Sequence, residues 1–147
     1  MSATTINKIA QTETDILSLS SLADNTLSAA GSAVNNVYGT SNFQGYPRAL
    51  LQLKLGTYTG TPTAGAALLF WFLKSLDGGT TYEDASNARQ PDAIFPIESI
   101  ASGPQVPGAQ DVDLPVGYWK PIVKTSGVGV TLGTIDLWCA PYSFQGQ

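Results

Sequence analysis

The feature that most constrains this chain is the stretch Ala67 to Tyr82, ALLFWFLKSLDGGTTY, where the longest unbroken apolar run ends in a turn signal. In a strand successive side chains alternate faces, so Leu69, Trp71 and Leu73 point one way and Leu68, Phe70 and Phe72 the other. Both faces are apolar, whereas a strand with one solvated side carries polar residues there. The run therefore belongs at the centre of a sandwich, or one of its faces is covered by another subunit. It is too short to span a bilayer, which takes about 20 residues in a helix. A buried helix also fits an apolar run, but Thr57-Tyr58-Thr59-Gly60-Thr61-Pro62 before it and Asp77-Gly78-Gly79 after it bracket a segment of strand length.

Around that strand, 147 residues make a chain of single-domain size, able to bury about 70% of the surface its unfolded form exposes. The single cysteine, Cys139, excludes an internal disulfide and a multi-cysteine metal site. With no histidine, the commonest general base and the commonest neutral metal ligand are missing. Only 12% of residues are charged, against about a quarter in a typical domain. So sparsely charged an exterior suits a protein partly covered in an assembly, although Ser and Thr also solvate a surface. The net charge of -4, with Lys and Arg scattered, argues against a nucleic-acid groove. The N-terminal MSATTINKIA lacks the basic region and apolar core of a secretory signal. Synthesis in the cytoplasm is the expectation, with an extracellular particle as a possible final location.

Residues 1–42 differ from the remainder, being dominated by Ser, Thr, Ala and Asn. Ile16, Leu19 and Leu22 sit at helical spacing, yet Leu17 and Leu19 alternate with Ser18 and Ser20 as in a strand. The expectation is an extended N-terminal arm with one or two short strands, ordered on a neighbour or on the domain's own sheet, followed by a β-sandwich domain over 43–147. From Tyr46 the strand pattern is clear. Leu51, Leu53 and Leu55 share a face opposite Gln52 and Lys54, and a Gly/Thr/Pro connection, Gly56 to Gly65, leads into the central strand. Asp77-Gly78-Gly79 supplies a hairpin turn from which Thr80-Thr81-Tyr82 begins the return. Pro91, Pro96, Pro104 and Pro107 confine strands in that region to sheet edges, with Ala93-Ile94-Phe95 as one such strand. Val112 and Leu114 alternate with Asp111 and Asp113. Tyr118 to Lys124 and Thr131 to Tyr142 complete a set of six to eight strands. The fold class is all-β, an antiparallel β-sandwich with jelly-roll-like connectivity.

Chemistry-bearing residues are few. Asp77, Glu83, Asp84, Asp92, Glu98, Asp111 and Asp113 lie in one stretch against a single base, Arg89. Two carboxylates facing each other across a sugar suffice for a glycosidase, with Glu83, Asp84, Asp92 and Glu98 as the residues to test. Asp also favours turns, where it accepts backbone hydrogen bonds. Asp77 and Asp84 with nearby carbonyls offer oxygens to Ca²⁺, but D-G-G-T-T-Y-E-D does not match the EF-hand spacing. Trp71, Trp119 and Trp138 fit either a sugar platform or core packing. Cys139, beside Trp138 in an apolar strand, reads as a small buried hydrophobe. No catalytic residue, cofactor or metal is expected.

The order of features resembles a group of small tailed-phage virion proteins of the capsid decoration or cement type. It runs from Ser20-Ser21-Leu22-Ala23 through Tyr46 to Gly56, then the apolar strand into Ser75-Leu76-Asp77-Gly78-Gly79-Thr80-Thr81-Tyr82-Glu83-Asp84, and Leu114-Pro115-Val116-Gly117-Tyr118-Trp119-Lys120. The resemblance covers about Thr14 to Tyr142. It implies a non-enzymatic β-sandwich on the outer surface of an icosahedral head. There it would bind the major capsid protein, often as a trimer near threefold positions, with no nucleic-acid or membrane partner. Ile16, Leu19, Leu22, Phe70, Phe72 and Trp138 are the expected interface residues. The competing expectation is a carbohydrate-binding or host-recognition domain on a tail or fibre.

Overall fold

The computed structural model describes residues 6–10, 13–37, 43, 45–84 and 89–146. Among them the chain forms no helix and the strands β1 (Ile6–Ala10), β2 (Thr14–Leu19), β3 (Val34–Asn36), β4 (Arg48–Leu55), β5 (Ala67–Ser75), β6 (Ala93–Pro96), β7 (Gln110–Asp113), β8 (Gly117–Ser126) and β9 (Ile135–Gly146). They build two antiparallel sheets, as the all-β sandwich expectation requires. One has the order β2-β9-β4-β7, with β1 beside the far end of β9, and the other β3-β8-β5-β6.

The alternation seen in the sequence sets the two inner faces. Leu51, Leu53 and Leu55 of β4 and Ile135, Leu137 and Cys139 of β9 meet Leu68, Phe70 and Phe72 of β5 and Trp119 and Val123 of β8 in one buried cluster. Phe72 leans on Trp119 with ring centroids 4.7 Å apart, and Phe70 meets Phe95 edge-on at 5.6 Å. Burial pushes the Cys139 thiol up to about 12, far from a nucleophile's range. β5 is central as expected, paired along its length with β8 and over Ala67 to Phe70 with β6.

Pro121, in the middle of β8, needs an explanation, because proline cannot donate to a ladder. It lies opposite Phe72, and β3 stops opposite Trp119, so no strand waits for an N–H on the other side. Only the Pro121 carbonyl is engaged there, by the Gly31 N–H at 2.8 Å.

One expectation narrows to one of its alternatives here, and another changes. The first is the arm. β2 runs along β9 from Thr14↔Cys139 to Leu19↔Ile135, and β3 runs along β8. Ile16, Leu17, Leu22 and Val34 lie in the main core. From Thr14 to Asn36, then, the expected arm is part of the sandwich. A register shift between Asp15 and Leu17 turns the consecutive Ile16 and Leu17 both inward, as a β-bulge does. Parts of residues 1–42 lie outside the described residues. The second is the turn after β5. Thr80-Thr81-Tyr82 does not begin a return strand; the chain touches β5 again through the Glu83 N–H on the Lys74 carbonyl at 2.9 Å, and β6 starts only at Ala93.

Candidate interaction surfaces

Most of the residues expected at an interface serve the chain's own core. Phe70 and Phe72 have no exposed surface, and Ile16 and Leu22 are buried, because pairing with β8 and β9 turns them inward. Leu19 is half-buried against the same core. Trp138 alone stands on an outer face, half-buried, with the Lys54 ammonium 4.4 Å from its ring centroid. Asp15 is directly across from it, and burial followed by repulsion from Asp136 raises that carboxyl above its ordinary value.

The other face of β5 is covered as well, by the segment that follows it. Trp71, Leu73 and Ile122 form a second buried cluster with Leu69 and Tyr82 packed on it. The Trp71 indole N–H donates to the Arg89 carbonyl at 3.1 Å, and the Lys120 ammonium stands 4.3 Å from the Tyr82 ring centroid. Both faces of the central strand are therefore closed within one chain, and the expected subunit partner has no open face of β5 to meet.

The acidic stretch is spent in the same region. Past Ala93, β5 has no ladder partner on the β6 side among the described residues, and its edge groups need other partners. Asp92 accepts the Phe72 N–H at 2.7 Å and Glu83 accepts the Lys74 N–H at 3.0 Å. Arg89 donates to the Phe72 carbonyl at 2.8 Å and pairs with Asp92 at 2.9 Å. Carboxylates and a guanidinium stand in for a missing strand. On the outer face of the other sheet, Arg48 reaches Asp113 at 2.8 Å and Asp111 at 3.2 Å, and the Tyr142 hydroxyl donates to Asp111 at 2.5 Å.

Asp77 organises the turn after β5. Its Oδ1 accepts the Ser75 hydroxyl at 2.7 Å and the Thr81 and Thr80 N–H groups at 2.8 and 3.1 Å. The Thr81 amide first, then the Ser75 hydroxyl, lowers the carboxyl from its ordinary 3.8 to about 2. A lowered folded value means that the turn's contribution is present above pH about 4 and is lost as the pH falls through about 2. An NMR titration should place the Asp77 midpoint near 2, and Asp77→Asn should flatten the loss of stability between pH 4 and 2. A midpoint at 3.8 would contradict this reading of the turn.

What the sequence expectations missed is apolar and lies mostly at the loop tips, with Ile94 on the edge strand β6. Leu76 is fully exposed, Val116 72% and Val106 60% exposed, and Ile94 and Ile100 48% each. Leu76 precedes Asp77-Gly78-Gly79, Val116 sits between Pro115 and Gly117, and Val106 between Gln105 and Pro107. An aliphatic residue inside Gly/Pro punctuation is the signal that would have found them. The loop carrying Ile100 and Val106 is fixed from within. The Gln105 side-chain amide donates to the Tyr58 hydroxyl at 2.5 Å and to the Glu98 carbonyl at 2.8 Å, and accepts the Glu98 N–H at 2.9 Å. The Tyr58 hydroxyl in turn donates to the Ile100 carbonyl at 2.7 Å. Beside this loop lies a groove of about 350 Å³ whose lining mixes Ile97, Ile100, Pro104 and Val106 with the polar Glu98 and Gln105.

Fold and surfaces define an all-β sandwich with apolar loop tips. No family model, no curated protein and no solved structure matches the chain.

Proposed function

We propose that this chain is a non-enzymatic structural protein of a tailed-phage virion, a decoration protein that binds the outside of the head and stabilises contacts between capsomers. The observation that carries the reading is the apolar character of both ends of the sandwich, Leu76 and Val116 at one and Ile100 and Val106 at the other. Rigid loops that expose aliphatic side chains suit contacts between proteins, and held loops lose little freedom on docking. The resemblance of the motif order to capsid decoration proteins points the same way. So does the strand order, β2-β9-β4-β7 over β3-β8-β5-β6, which we read as jelly-roll connectivity.

In this reading the partner is the major capsid protein, the location is the capsid surface and the oligomer is a trimer. The mechanism is area: many modest contacts repeated by symmetry resist outward pressure on the shell. The test is to add the purified protein to heads that lack it. Saturable binding that raises the temperature at which the heads open is the expected result, and heads that neither bind the protein nor gain stability would overturn the reading. A tail or fibre glycan-binding role draws on one specific observation, Trp138 on an outer sheet face beside Gln52, Asp15 and Asp136. Glycan-array binding that Trp138→Ala abolishes would favour it.

A further inference from the structure

We infer that the corner where Phe43 and Tyr46 close over β3 and β8 is a binding site for one buried water molecule, which accepts from the Trp119 indole N–H and donates to the Asn36 side-chain carbonyl. The site belongs to the sandwich itself and is the same whether or not the protein sits on a capsid.

Two buried polar atoms lack partners there. The Trp119 Nε1–H and the Asn36 Oδ1 have no hydrogen bond among the described residues, although neither side chain has any exposed surface. Interior groups of this kind are satisfied in folded proteins, by water where no protein group is in reach. The orientation of Asn36 is set by its neighbours. Its amide nitrogen donates to the Tyr46 carbonyl at 2.9 Å and to the Pro115 carbonyl at 2.8 Å, and a carbonyl only accepts. The atom left over is therefore Oδ1, an acceptor, while the indole N–H can only donate. The two are not bonded to each other, so what completes both accepts from one and donates to the other.

Both atoms belong to the same corner. Val34 pairs with Trp119 and Asn36 with Gly117, which makes Asn36 and Trp119 diagonal neighbours on the inner face. Such neighbours are roughly 7–8 Å apart, within reach of a long side chain. The Phe43 ring meets the Trp119 ring edge-on at 5.9 Å, and the Tyr46 N–H donates to the Phe43 carbonyl at 2.9 Å, so one turn touches both residues. Across from Asn36, Gly117 brings no side chain, and a Cβ there would meet nothing within 4 Å. None of these neighbours carries a charge, so an ion would lack a counter-charge, and an apolar guest would leave both polar atoms unsatisfied. A small neutral molecule that both donates and accepts fits the corner, and water is that molecule.

Water-selective NOE and ROE spectra of the isotope-labelled full chain test the site. The Trp119 indole proton should show a cross-peak to water with NOE and ROE of opposite sign, the signature of a water held far longer than one on the surface. The Trp71 indole, which donates to the Arg89 carbonyl, is the internal reference and should lack that peak. The chain has three tryptophans, and Trp119→Phe assigns the signal by removing it. If that variant loses its fold, Trp71→Phe and Trp138→Phe assign it by elimination. No cross-peak at Trp119 beyond that at Trp71 would overturn the inference, because the indole would then be bonded to protein. A cross-peak of equal sign in both spectra, which marks proton exchange with solvent, would overturn it as well, because the corner would be open.

Discussion

Deletion of Met1–Asn25 should leave a chain that no longer folds. The truncation strips β1 and β2 from β9 and takes Ile16, Leu17 and Leu22 out of the main core. Burying each of these aliphatic side chains contributes about 1.5–3 kcal/mol, so the loss is roughly 5–9 kcal/mol. A domain of this size has a net stability of about 5–15 kcal/mol. The truncation therefore removes most or all of it, before counting the backbone hydrogen bonds that β9 loses. Urea or thermal unfolding followed by circular dichroism should show no cooperative transition. A truncated chain that melts near the wild-type temperature would return residues 1–25 to the status of a detachable arm.

The second large effect lies in the central strand. Phe70→Asp should produce an unfolded or aggregated chain and no folded monomer. Phe70 has no exposed surface, lies opposite Val123 on β8 and Ala93 on β6, and meets the Phe95 ring. Truncating a buried phenylalanine alone costs about 3–5 kcal/mol. An aspartate there adds a carboxyl among apolar neighbours, to be left as an unpaired charge or held protonated. One-dimensional NMR of the purified variant would decide, since a dispersed spectrum from a soluble monomer would mean that this face does not belong to the core. Leu76→Asp, six residues along on a side chain in open solvent, is the matched control and should melt like the wild type.

What could be read from the sequence follows from how regular each strand is. β4 and the first part of β9 keep a strict alternation, so their inner faces were legible residue by residue, from Leu51 to Cys139. β2 was ambiguous because its bulge puts Ile16 and Leu17 on the same side, which breaks the two-residue period and leaves Ile16, Leu19 and Leu22 at a helix-like spacing. β3 was missed because it has only three residues, and its inward pair, Val34 and Asn36, includes a polar side chain. Asn36 is tolerated there because its amide donates to the Tyr46 and Pro115 carbonyls at 2.9 and 2.8 Å. The interface expectation at Phe70 and Phe72 assumed that one face of an all-apolar strand needs a second subunit. The chain covers both faces itself, with a second sheet on one side and Tyr82 and the Arg89 backbone on the other. That a loop would fold back over Trp71 carries no periodic signal. The apolar tips were legible only as aliphatic residues in turn sequences.

β9 forms the middle of its sheet, with β1 and β2 on one flank and β4 on the other, yet it follows all the other described strands in the chain. Among the described residues β2 has no other neighbour in that sheet, and more than a hundred residues are synthesised between the two strands. On the ribosome the smaller groupings around β5 and β8 can form early, but the first sheet cannot close until residues 135–146 emerge. Its completion is then a late event dominated by long loop closures, the kind of topology that folds slowly. During that interval the edge of β4 that pairs with β9 stays open, and a chaperone's grip would matter most there.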